Sequence, residues 1–173
     1  MLVATLLLAT LVQTAGSSPY VGEEGRSVKA LSADEMRALE AGEGMGLAKA
    51  AELNHYPGPR HVLDLADMLG LSQEQRAAIQ ASFERMQAAA RGLGSELVAR
   101  ERDLDVAFAR ATIDAAGLER LALEIGTLHG RLRAVHLRAH LETRAVLSAP
   151  QVEHYDRLRG YGDGRGHEHH SRD

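Results

Sequence analysis

Leu147-Ser148-Ala149-Pro150-Gln151, and earlier in the chain Leu71-Ser72-Gln73-Glu74-Gln75, are the two stretches from which the fold can be read. In each, a serine stands three residues ahead of a glutamine. That spacing lets the serine hydroxyl accept from the third backbone amide of a new helix while the glutamine side chain reaches back to the serine amide. Two of the donors that a helix start leaves bare are thereby satisfied, so each stretch predicts a helix N-terminus. Leu71 and Leu147 stand where an apolar side chain can fold back as a staple, with Val152 as partner in the second copy and the poorer Arg76 in the first.

Outward from Ser72, apolar residues recur in steps of mostly three and four: Ile79, Phe83, Met86, Ala90, Leu93, Leu97, Leu104, Phe108 and Ala111. This is the pattern of a helix seam facing a partner, interrupted at Arg100 and Glu101. Thr112-Ile113-Asp114 marks a bend with Asp114 as the next cap, and Leu118, Leu121, Ile125, Leu128, Leu132, Val135 and Ala139 repeat the pattern on the return. Two long helices joined by so short a link run antiparallel.

Shorter helices flank this pair. Ser32 and Glu35 form a third capping box, and Gly42, Gly44 and Gly46 end that helix. Leu47 to Leu53 allows another turn or two, and Pro59 suits a first helical position for a run through Val62, Leu65, Ala66 and Leu69 to Gly70. Ser148 opens the last helix, through Val152, Tyr155 and Leu158 to Gly160. The expected class is all-α, a long antiparallel hairpin with short flanking helices. The expected organisation is a signal peptide over 1–17, an N-terminal arm with short helices over 18–58, a helical domain over 59–161 and a His-rich tail over 162–173.

Composition limits the functions. The chain has 173 residues, enough for one domain, and its 45% hydrophobic content with only 3% aromatics favours closely packed helices. A formal net charge of −4 offers no overall attraction to nucleic acid, which is not an expected partner. Without cysteine there is neither a disulfide nor a thiolate metal site. Leu2 to Val12 is apolar but short of the roughly 20 residues that span a bilayer, and it reads as a signal-peptide core, although no lysine or arginine precedes Arg26. Periplasmic localisation follows, with no stable membrane insertion after cleavage.

With serine in place of threonine, the paired Leu-Ser-x-x-Gln stretches, Leu71/Ser72/Gln75 and Leu147/Ser148/Gln151, resemble the Leu-Thr-x-x-Gln motif of the Spy/CpxP periplasmic stress proteins and their metal-responsive relatives ZraP and CnrX. The likeness runs from about Tyr56 to Tyr161. It implies a cradle-like homodimer that binds non-native proteins, or a membrane stress sensor, without ATP. In the metal-responsive relatives it implies ligands from an N-terminal segment and from histidine and methionine on a long helix, a style that His136 and His140 match only loosely because no methionine follows them.

Two constellations carry these functions. On the return helix, Leu123, Gly130, Ala134, Leu137 and Leu141 fall opposite the core face, flanked by Arg131, Arg133, Arg138 and Arg144. This second face either is covered by the flanking helices or forms a surface for a client, a sensing partner or a second copy.

His136 and His140, four apart, can approach one divalent ion such as zinc, nickel or copper. His129 lies too far along the axis to join them, whereas His61, His55 or His154 can add a ligand from another element. Surface or cap-bonded histidines are the commoner explanation of such a pair. His167, His169 and His170, with Glu168, can bind metal loosely or remain solvated. No cofactor is required, and catalysis is not expected: Glu52-x-x-His55 is a single copy of a motif that di-metal bundles use twice, and no nucleophile or phosphate-loop pattern occurs. The leading expectation is a chaperone-like stress protein, and the alternative is a periplasmic heavy-metal sensor or resistance protein.

Overall fold

The computed structural model describes residues 16–161. Most of the expected signal peptide, and the tail with His167, His169 and His170, lie outside the described residues. Six helices follow in order: α1 (Ala33–Ala41), α2 (Lys49–Glu52), α3 (Pro59–Asp64), α4 (Gln73–Ala109), α5 (Ala115–Val146) and α6 (Ala149–Arg159). Among the described residues there is no strand, only an isolated bridge between Val28 and Leu31. α4 and α5 pack along each other as the expected antiparallel hairpin.

Local chemistry sets the helix starts. Ser32, Ser72 and Ser148 each accept from the amide three residues on, and Glu35, Gln75 and Gln151 each return to the serine amide. Asp114 caps α5 by accepting from the Gly117 amide at 2.7 Å.

The two Leu-Ser-x-x-Gln stretches do more than start helices. The Gln75 side-chain amide donates to Gln151 Oε1 at 2.9 Å, and the Gln151 amide donates to Gln75 Oε1 at 3.1 Å. Each amide also donates across to backbone, Gln75 to the Val146 carbonyl at 3.0 Å and Gln151 to the Leu69 carbonyl at 3.3 Å. The start of α4 is thus tied to the junction of α5 and α6 by four bonds, each of which contributes roughly 0.5–1.5 kcal/mol net. Beneath the clasp lies a cluster of Val62, Ala66, Leu69, Leu71, Ile79, Leu147, Val152 and Tyr155. Leu71 is buried there although Arg76, its expected staple partner, turns out to Asp67 instead.

A second cluster occupies the middle of the hairpin, where the arm crosses it: Val28, Leu31 and Leu39 meet Ala90, Leu93, Leu97, Val98, Leu128 and Leu132. The crossing is close because Gly94 has no side chain. A Cβ there would come within 2.1 Å of the Leu39 carbonyl oxygen.

Three expectations are corrected. α3 ends at Asp64, not at Gly70, because the chain turns over Leu65 to Gly70 to deliver Ala66, Leu69 and Leu71 to one cluster. Gly70, at φ +60°, makes the reversal, and the Leu71 amide bonds back to the Ala66 carbonyl at 3.0 Å. The seam is not closed to the end of the hairpin: Phe108, Ala111 and Leu118 are exposed, since among the described residues no third element reaches the tip. On α5 the fully buried place near Val135 goes to His136, with Val135 only half-buried.

Candidate metal centre

His136 and His140 face one cleft of about 620 Å³ between the two clusters. Its walls are the loop after α1 (Gly42 to Met45), the start of α3 (Gly58 to His61, with Asp64), α4 through Phe83, Met86 and Gln87, and α5. The loop exists because Gly42, at φ +70°, ends α1 in a left-handed cap that turns the chain towards α5.

His136 is 3% exposed, and its Nε2 is buried without a hydrogen-bond partner. A buried imidazole nitrogen left in this state costs about 1–3 kcal/mol, and such an orphan in a folded protein calls for a role. Burial, and then neighbouring His140, holds its pKa below the usual histidine value, so the ring is neutral at neutral pH. Neutral imidazole is the form that binds metal.

His140 is oriented by the arm. Its Nδ1 lies 2.7 Å from the Tyr56 carbonyl oxygen, which can only accept, so Nδ1 is the donor and Nε2 is the nitrogen left for a ligand. A carbonyl that fixes the tautomer in this way is the usual outer partner of a ligating histidine. His61 lines the same cleft, and its pKa is lowered, by burial and by the charge of Arg159.

Among the described residues, no three His, Cys, Asp or Glu side chains converge as a ready cation cage. His55 is elsewhere, bonded through Nδ1 to Asp156 Oδ2 at 2.8 Å, and His154 is on α6. The residues therefore fit a metal at the level of a prepared histidine pair, with further ligands to come from the cleft walls.

Sequence reasoning passed over the side chains that hold this region together. Glu52 accepts from the Tyr155 hydroxyl at 2.5 Å, from the Tyr161 hydroxyl at 3.2 Å and, through its other oxygen, from the Gly58 amide at 3.1 Å. Arg159 Nε is 3.6 Å and His140 Nδ1 3.7 Å away. Burial and the bond to Glu52 push the Tyr155 hydroxyl far above its ordinary pKa, so it stays a donor. The only signal in the sequence was Glu52-x-x-His55, which pointed at a different chemistry.

The second face of α5 is largely uncovered. Leu123 is 66% and Leu141 57% exposed, Leu137 is half-buried, Arg131, Arg133 and Arg138 are exposed and Arg144 half-buried. No helix among the described residues is long and apolar enough to cross a membrane.

A family model described as heavy-metal resistance matches residues 44–153, a span that contains the cleft histidines and both serine-led motifs. No curated protein and no solved structure matches the chain.

Proposed function

Because the chain belongs to the heavy-metal resistance family, within the Spy/CpxP/ZraP-like helical superfamily that the twin motifs resemble, we propose that it binds a heavy-metal ion at the cleft of His136 and His140, in the periplasm, as a sensor or resistance protein. The observation that carries this reading is the buried, unpartnered Nε2 of His136 one helical turn from a histidine whose tautomer is already fixed. The ion supplies charge and coordination, and the chain supplies the two α5 imidazoles, while His61 lines the same cleft from α3. Binding would draw the arm, through Tyr56 and Glu52, against the hairpin. The chain's role in this reading is binding and not catalysis.

Zinc or nickel titration tests it. One site should persist in a chain ending at Gly166, without the tail histidines, and disappear in His136→Ala/His140→Ala. If affinity follows the tail alone, the cleft is not a metal site.

A second reading, chaperone-like capture of non-native proteins by a homodimer, is favoured by one observation: the exposed leucines and arginines of α5. A basic rim on an apolar strip suits unfolded segments that carry acidic residues. Leu137→Asp with Leu141→Asp should then abolish suppression of client aggregation while helicity is kept; unchanged suppression counts against it.

A further inference from the structure

Two of the methionines in the described chain line the histidine cleft: Met86 from α4, half-buried, and Met45 from the loop after α1. Met45 is unusual in two ways. It is a large apolar side chain left 46% exposed, and its backbone lies at φ +44°, a left-handed conformation that costs a non-glycine residue about 1–3 kcal/mol. Gly44 and Gly46 flank it, so the turn could have been made with a glycine in the strained place. Packing does not explain a methionine here.

The donor chemistry does. Zinc in a structural site asks for four nitrogen, oxygen or thiolate ligands, and no three such residues converge among those described. The cleft brings imidazoles and two thioethers into one space, and thioether sulfur favours soft ions such as copper(I).

We propose that the cleft is a site for a soft monovalent cation, copper(I) or silver(I), held by His136 with the thioethers of Met45 and Met86. This rests on the cleft being the metal site of the preceding section and names the ion class it takes. Met45, with half of its side chain in solvent at the mouth, is the first donor an arriving ion meets. His136 is the last.

Silver(I) is the probe, because it is redox-inert. The full-length chain, labelled at the methionine methyl carbons, is titrated with silver and followed by carbon–proton correlation spectra. The methyl signals of Met45 and Met86 should move at the first equivalent while those of Met36 and Met68 stay. Met45→Leu/Met86→Leu conserves volume and fold. It should lower silver affinity at the cleft at least tenfold, read from the perturbation of His136 ring signals. If all methionine signals move alike, or the leucine variant binds silver at His136 as tightly as the parent, the thioether assignment is overturned. In that second case a loss on His136→Ala would still uphold the cleft as a metal site, so the two readings fail separately.

Discussion

His136 is a buried histidine with an unpartnered ring nitrogen. Leucine would fill its place without an orphaned nitrogen, and the ring titrates in the wrong direction for stability in acid. Its folded pKa is lowered by burial and by His140, whereas in the unfolded chain it returns to about 6.5. The unfolded state therefore binds the proton first as pH falls. The contribution is fully present above about pH 6.5 and is lost as pH drops through that value towards the depressed folded pKa. His61 shifts in the same direction and adds to the same window, while Glu142, whose pKa is lowered chiefly by its bond from Ser82, acts only in the carboxylate range below it. The denaturant midpoint should thus fall between pH 7 and pH 5. His136→Leu should flatten that fall and raise stability at pH 7 by up to about 1–3 kcal/mol, the cost of the orphan removed. An unchanged slope in denaturant titrations at the two pH values would show that His136 does not face the environment described.

At the scale of elements, the arm is held by one close approach. Gly94→Ala would gain about 1 kcal/mol of helix propensity in α4, yet the new Cβ would lie 2.1 Å from the Leu39 carbonyl oxygen, so α1 must lift. Sterics win, with a net cost of about 1–3 kcal/mol. Gly92→Ala is the control, since a Cβ there meets nothing within 4 Å and should stabilise. Hydrogen exchange of the α1 amides should quicken in the first variant and not in the second; equal behaviour would deny the crossing.

The same contrast explains what was legible in the sequence. Helix starts at Ser32, Ser72, Asp114 and Ser148 were readable because a cap is decided within four residues. The pairing of Gln75 with Gln151 was not, because each glutamine already had a local task and its second partner lies 76 residues away. His136 and His140 could be picked out by their spacing. The cleft around them could not, because its other wall is a loop whose path depends on Gly42 and on α1 settling over Gly94.

Over the whole molecule, stability is graded along the rod. α4 has 37 residues, about 55 Å of helix, and its base carries both the glutamine clasp and a packed cluster. The middle is covered by the arm. Beyond Arg100 the hairpin has thinner cover, with exposed ion pairs such as Arg100 with Glu124 at 3.3 Å and Lys29 of the arm with Asp105 at 3.9 Å, and such pairs contribute about 0–1 kcal/mol. Leu97, fully buried, and Phe108, 55% exposed, occupy equivalent places in the apolar repeat but different places in this gradient. Leu97→Ala should cost about 2–5 kcal/mol. Phe108→Ala should cost under about 1 kcal/mol, although it removes the larger side chain. Urea denaturation of the two variants measures the difference, and native-state exchange should find the amides around residues 104–118 opening well before those of the base. The gradient has a functional side. The histidine cleft lies between the clasp and the arm crossing, where α5 is held on two sides, so an ion bound as proposed would act on the arm and not on the tip. Equal losses for Leu97→Ala and Phe108→Ala would mean that a partner surface covers the tip in solution, and the exposed apolar residues Val106, Phe108 and Leu118 would be where to look for it.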